Sequence, residues 1–258
     1  MVFDVRGKRR GVVKVVYAIL ALLMGLSLFL LGAGGSLSSI FGGSSGTSAT
    51  AAFEEQAQRI ERKLVKAPED ADLLANLTRT RVNAGNAAVS ISSTGEQSQT
   101  LESQDQFNKA SAVWSEYLEA TDEPSSGVAQ LMSNTLFVLA NISRTTAEAE
   151  TNIEAAAEAQ AIVAEQRPSV GSLSTQAFYL LYTFDYAGAE KAKEEAAALT
   201  VSKTEKESLE SQFKEIEKRA RVFEKQVKET EKAQKQGAKA NPETLGNTLG
   251  LGGASLGE

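Results

Sequence analysis

The apolar positions of this chain fall into three patterns, each predicting a different element. From Val15 to Gly32 there is no charge, and Ser27 is the one strongly polar side chain. Wound as a helix at about 1.5 Å per residue, this run covers roughly 27 Å, close to the hydrocarbon thickness of a bilayer. From Ala51 onward the residues are good helix formers, heavy in Ala, Glu, Gln, Lys and Leu, with no strand-like alternation. Beyond Ser202 the pattern narrows again: Leu209, Phe213, Ile216, Ala220, Phe223 and Val227 follow one another at alternating spacings of four and three, flanked by Lys and Glu. That seam is a heptad pattern. The chain therefore divides into a basic N-terminus (1–14), a membrane-spanning helix (15–32), a linker (33–50), a helical domain (51–200), a long heptad-patterned helix (201–236) and a tail (237–258).

The first apolar run exceeds the 7 to 15 residues of a cleavable export signal, and no A-x-A site directly follows it. A buried core helix would carry a polar stripe, which this run lacks. An uncleaved anchor is the expectation. Arg6, Lys8, Arg9, Arg10 and Lys14 crowd its N-terminal side, and no Lys or Arg recurs until Arg59. This asymmetry holds the basic end in the cytoplasm and sends the rest across, as in a single-pass protein of a bacterial cell membrane. The Gly/Ser-rich linker reads as a flexible tether with a reach of about 20 to 24 Å.

Composition narrows the chemistry. The whole chain carries a formal charge of −6, and beyond Lys14 it holds 22 basic against 32 acidic side chains. An acidic surface is repelled by nucleic acid and anionic lipid heads, so neither is an expected partner of the domain. There is no histidine and no cysteine. Their absence removes the commonest general base, the commonest transition-metal ligand, thiol catalysis and disulfides. No enzyme activity, cofactor or metal is expected. The tail's GLGGASLG lacks the strand, helix and GK[ST] of a phosphate loop. The Ser211–Lys214 pair falls on the charged flank of the heptad seam and reads as solvated surface. Asn76-Leu-Thr78 and Asn141-Ile-Ser143 fit the glycosylation acceptor pattern in a helical setting that disfavours it.

Within 51–200, Pro68, Pro124 and Pro168 each end a helical run, at intervals of 56 and 44 residues. After Pro68, Leu74, Leu77, Thr78 and Arg81 fall at the spacing W-x2-L-G-x2-Y, with Gly85 at the expected inter-helix turn. Ala110 and Trp114 take the A-x3-F spacing. After Pro168, Leu173, Ala177 and Leu180 are followed by a turn at Asp185–Tyr186, then by Ala189 and Ala196. These segments resemble tetratricopeptide repeats, helix-turn-helix units of about 34 residues. The pattern departs from the family at Thr78, Arg81 and Val201, and at a polar insertion from Asn86 to Gln104. The helix Gly127–Ser143 fits a repeat or an unrelated antiparallel bundle equally. The expected fold is all-α: one transmembrane helix, then a repeat-like α-solenoid closed by the long C-terminal helix, with a disordered tail.

The resemblance implies that first helices line a partner-binding groove. Phe178 and Tyr182, neighbours at i, i+4, are then groove candidates, with Arg79 and Asn83 at the matching places of the earlier repeat. The same aromatics can instead pack the core between repeats. The expected function is a membrane-anchored, extracytoplasmic scaffold that binds protein or peptide partners, by architectural analogy a helper of protein export or envelope assembly. The alternative is a structural protein that homodimerises through its heptad helix.

Overall fold

The computed structural model describes residues 46–92 and 97–235. The expected span, its basic flank with Arg6, Lys8, Arg9, Arg10 and Lys14, most of the linker and the tail lie outside the described residues. Among the described residues no helix is long and apolar enough to cross a membrane. They form eight helices and one short ribbon: α1 (Gly46–Leu64), α2 (Ala71–Ala87), β1 (Ser90–Ile91), β2 (Gln97–Ser98), α3 (Leu101–Glu119), α4 (Ser126–Ile142), α5 (Thr146–Gln166), α6 (Val170–Tyr182), α7 (Tyr186–Ala198) and α8 (Lys203–Lys235). This part of the chain is all-helical apart from the antiparallel β1–β2 pair, Ser90 opposite Ser98.

Six of the helices start where a short polar side chain takes up an orphan N–H of the first turn, whereas Ser125 at the head of α4 makes no such bond. Asp70 accepts from the Leu73 N–H at 3.0 Å, Thr100 from Ser103 at 3.0 Å, Thr145 from Glu148 at 3.2 Å and Asp185 from Gly188 at 2.9 Å. Ser169 and Ser172 form a reciprocal capping box at the head of α6. Ser202 accepts from Glu205 at 3.1 Å, but the Glu205 carboxylate reaches back to the Val201 N–H rather than to that of Ser202. Pro68, Pro124 and Pro168 all fall in connections, where a missing N–H costs no ladder bond.

The helices pack as three hairpins, α2 with α3, α4 with α5 and α6 with α7, with α1 against α2 at one end and α8 against α6 and α7 at the other. α2, α4, α6 and α8 are successive neighbours in one layer: α2 touches α4 and α6 touches α8. The T-shaped Phe137–Phe178 pair, with centroids 5.1 Å apart, joins α4 to α6. In the other layer α5 and α7 contribute mainly small residues to the interior, whereas α3 buries Phe107, Trp114 and Tyr117. All three buried side chains of α7 are alanines, Ala189, Ala192 and Ala196, and α5 buries Ala149, Ala156, Ala157, Ala159 and Ala164. Against them the first layer sets Leu74, Met132, Leu136, Leu181 and Tyr182.

Two buried polar clusters tie the elements together, one joining α1 to the first hairpin and the other joining the second hairpin to the third. Arg81, nearly enclosed, pairs with Glu61 of α1 and donates to the Gln106 amide oxygen of α3 at 2.9 Å. Gln106 in turn donates to Glu54 at 3.3 Å. In the second cluster the fully buried Gln160 of α5 accepts from Ser133 of α4 at 3.1 Å and donates to the Ser172 carbonyl of α6 at 2.9 Å.

Four expectations are corrected. The linker ends sooner than residue 50, because α1 begins at Gly46; burial of Thr50 holds a low-propensity stretch in the helix. Gly85 lies inside α2, not at a turn. A Cβ there would stand 2.4 Å from the Phe107 ring, so the hydrogen is what lets α3 approach. The polar insertion is shorter than Asn86–Gln104: its ends belong to α2 and α3, and a ribbon forms between them. Thr100 joins the ribbon's foot to α2 by donating to the Ala88 carbonyl at 2.8 Å. The turn after α6 is Thr183–Asp185, with Phe184 at φ 64°, a left-handed conformation that disfavours L side chains; its ring, 5.9 Å from that of Phe223, compensates by packing.

The heptad seam of α8 is consumed within the chain. Phe213, Ala220, Phe223 and Val227 are buried on α6 and α7, with Ile216 beside them, and Leu209 packs with Leu173 and Ala196. A dimer through this seam would have to strip α8 from its own domain.

Gly85→Ala is expected to lower stability by about 1–3 kcal/mol through overpacking against the buried Phe107, less the roughly 0.5–1 kcal/mol gained in helix propensity. Urea midpoints should show the loss, and Phe107→Leu in the same chain should recover much of it. A neutral Gly85→Ala would mean that α3 is held further off.

Candidate partner-binding face

α2, α4 and α6 each leave one stripe at least partly exposed, on which Phe137, Val138 and Phe178 also border the core. On α2 the stripe runs through Asn76, Arg79 and Asn83, on α4 through Gln130, Asn134, Phe137, Val138 and Asn141, and on α6 through Thr175 and Phe178. Residues on one stripe recur at three- and four-residue spacing, so each stripe is one side of its helix. α4 and α6 contain no charged residue, whereas α5 behind them carries five glutamates and no base. The result is a polar strip with apolar insets, uncharged along α4 and α6 and carrying Arg79 on α2, beside a strongly acidic helix.

The aromatic insets are half-buried. Phe178 lies edge-on to Phe137, with Tyr179 at 5.4 Å and Tyr182 at 5.0 Å between ring centroids. Tyr179 is nearly enclosed and donates to the Ser133 carbonyl at 3.3 Å, fixing α6 on α4. Burial pushes its hydroxyl up from 10.0 to about 12, with the Ser133 interaction working the other way. Burial likewise raises the Tyr182 hydroxyl, opposed by Arg219.

The amides supply the polar half of the strip. Asn134 and Asn83 are exposed, and an exposed primary amide offers both a donor and an acceptor, the pair that a peptide backbone presents. Asn141 donates to the Phe137 carbonyl at 2.7 Å, and its Oδ1 is buried without a partner.

Of the four groove candidates, three are on the strip. Asn83 is exposed and Arg79 half-buried on α2; Phe178 is half-buried on α6, with α4 standing between the two helices. Tyr182 is corrected. It occupies the next place on the α6 stripe, but α8 covers it: only 2% is exposed, and the ring packs 5.9 Å from Phe223. It is a core residue because the heptad seam closes over it. Asn134, Phe137 and Asn141 were missed by the sequence reading, which aligned only the first and last hairpins. The signal was present in the absence of charge from α4.

Neither glycosylation pattern is available in the fold. Thr78 is fully buried with its hydroxyl donating to the Leu74 carbonyl at 2.9 Å, and Asn141 is committed to Phe137. Among the described residues no group of three or more acidic, His or Cys side chains is placed to hold a metal.

Because the folded-state value of Tyr179 lies above 10.0, its contribution to stability is fully present below pH 10 and is lost as the pH rises through about 12. Tyr179→Phe should shrink the alkaline loss by roughly 2–3 kcal/mol, read from denaturant titrations at pH 9 and pH 12. An unchanged alkaline profile would show that the hydroxyl ionises freely.

No family model matches this chain, nor does any curated protein or solved structure.

Proposed function

We propose that this protein is a helical-repeat scaffold of tetratricopeptide type, anchored by its N-terminal span and displayed outside a bacterial cell membrane, where it binds protein or peptide segments. The observation that supports binding is the strip of amides and half-buried rings on α2, α4 and α6, free of charge along α4 and α6 and set in an otherwise highly charged domain. A segment with small or apolar side chains would lay its backbone along the asparagines and its side chains against Phe137 and Phe178. Covering the strip along α4 and α6 takes water from no charge, and the amides exchange water for hydrogen bonds to the segment's backbone. Tethering near the bilayer raises the local concentration of membrane-proximal partners, so modest contacts suffice. A role in export or envelope assembly rests on this architecture alone. Self-association remains the alternative, but the heptad seam that motivated it is occupied within the chain.

A photocrosslinking residue at Asn134 should capture partner protein in cells, and one at Glu154 on α5 should not. Phe137→Ala with Phe178→Ala should cut the Asn134 yield at least fivefold while helicity by circular dichroism holds. Equal capture from both helices would refute the strip. For sidedness, Glu154→Cys introduces the sole thiol of the chain. A membrane-impermeant maleimide should label it on intact, wall-stripped cells; labelling only after lysis would place the domain in the cytoplasm.

A further inference from the structure

At the far end of the domain the first turns of α6 and α8 diverge and leave an open cleft of about 540 Å³. Val170 and Leu209 form its floor, and Leu199 and Val201, on the connection between α7 and α8, stand at the rim. Val201 is 92% exposed and Leu199 47% exposed, an unusual placement for two aliphatic side chains beside a lined depression. Ser174 adds a buried hydroxyl without a partner, and Glu205 is the one charged residue of the lining, its carboxylate already accepting from the Val201 N–H. The site therefore suits an uncharged, leucine-bearing segment with little side-chain bulk between its anchors.

The chain carries such a segment. Residues 244–257, TLGNTLGLGGASLG, have no charge and alternate leucine with glycine and other small residues. The segment follows α8, whose first turns form one wall of the cleft. Reach decides which leucines are available. From Lys235 back to Leu209 the axis of α8 spans about 39 Å at about 1.5 Å per residue. An extended chain gains at most about 3.3–3.6 Å per residue, so Leu245, ten residues on, falls short at about 36 Å, whereas Leu249 and Leu251 reach about 50 Å or more. The exposed flank of α8 between the two points is dense with Lys and Glu, and Val222, 52% exposed, is its single large apolar side chain among the described residues, too little to seat two leucines.

We propose that the C-terminal segment folds back along α8 and seats Leu249 and Leu251 in this cleft. The site is separate from the strip and does not depend on the binding role given to it. An occupied cleft covers Leu199 and Val201 and pins residues 249–251 to the last hairpin.

The cysteine-free chain allows a direct test with the full-length protein. Gly250→Cys is paired either with Ser208→Cys, in the cleft, or with Lys214→Cys, which is nearer the start of the tail but on another side of α8. With a short bis-maleimide, a seated tail links to position 208 at least tenfold faster than to 214, within one chain. A freely diffusing tail links to 214 as fast or faster, which overturns the proposal. Links between chains would assign the cleft to a second copy and overturn it equally. Leu249→Asp with Leu251→Asp should bring the 208 rate down to that of 214; an unchanged rate would show that the leucines are not the anchors. Independently, amide exchange across 199–204 should quicken several-fold in a chain ending at Lys235, and identical exchange would refute coverage of the rim.

Discussion

The structure depends on close approach between its helices, most plainly where the alanine face of α7 meets the large side chains of α6. With no cysteine in the chain, nothing covalent holds the helices together. α7 brings only Ala189, Ala192 and Ala196 to the interior, and a buried methyl contributes little by itself. Its value is geometric: an alanine surface lets the helix axis come near enough for Leu181 and Tyr182 of α6 to be enclosed, and enclosure of such side chains is worth about 1.5–3 kcal/mol each. At Gly85 the roles are exchanged: α2 gives up its side chain to the bulky Phe107 of α3, and even a methyl there would collide with the ring. The interlock also fixes the division of labour, because helices that must be thin and close inside are free to carry their charge outside.

Alanine against leucine does not by itself specify which hairpin follows which, since small-to-large packing tolerates sliding. The buried polar clusters supply that register. Gln160 is satisfied only when Ser133 of α4 and the Ser172 carbonyl of α6 stand at opposite ends of its amide. Arg81 is satisfied only when α1 brings Glu61 and α3 brings Gln106. A slip of one turn in either place would strand a buried amide or a buried guanidinium, at about 1–3 kcal/mol or more.

The elements were legible in the sequence wherever local chemistry decides. The prolines fall in connections, the polar caps start helices, and Ala110, Trp114, Ala189 and Ala196 are buried as their spacing requires. The heptad seam of α8 was also readable, and so was its destination on the last hairpin. Illegible features were those set by partners distant in sequence. Gly85 reads as a turn residue until Phe107 is placed against it. Tyr182 reads as a groove residue until Phe223, from the far side of α7, covers it. The extension of α1 to Gly46 runs against helix propensity and follows from packing on α2.

Charge partition links this architecture to what the surface can bind. The exposed salt bridges of the domain are mostly i, i+4 pairs within single helices, such as Arg59–Glu55, Lys109–Asp105 and Arg221–Glu217, and pairs of this kind contribute little to stability. Their effect is on solubility: they keep α1, α3, α7 and α8 hydrated and discourage association through those helices. α4 and α6 have been left out of that arrangement. Had stability or solubility been the only requirement on their outer stripes, Lys and Glu would serve there as well as they do on α8. The stripes hold asparagine, glutamine, threonine and phenylalanine instead. The amides can trade their water for hydrogen bonds to a covering backbone and the rings gain from being covered, with no charge on these two helices to desolvate, which suits a surface that is to be covered reversibly.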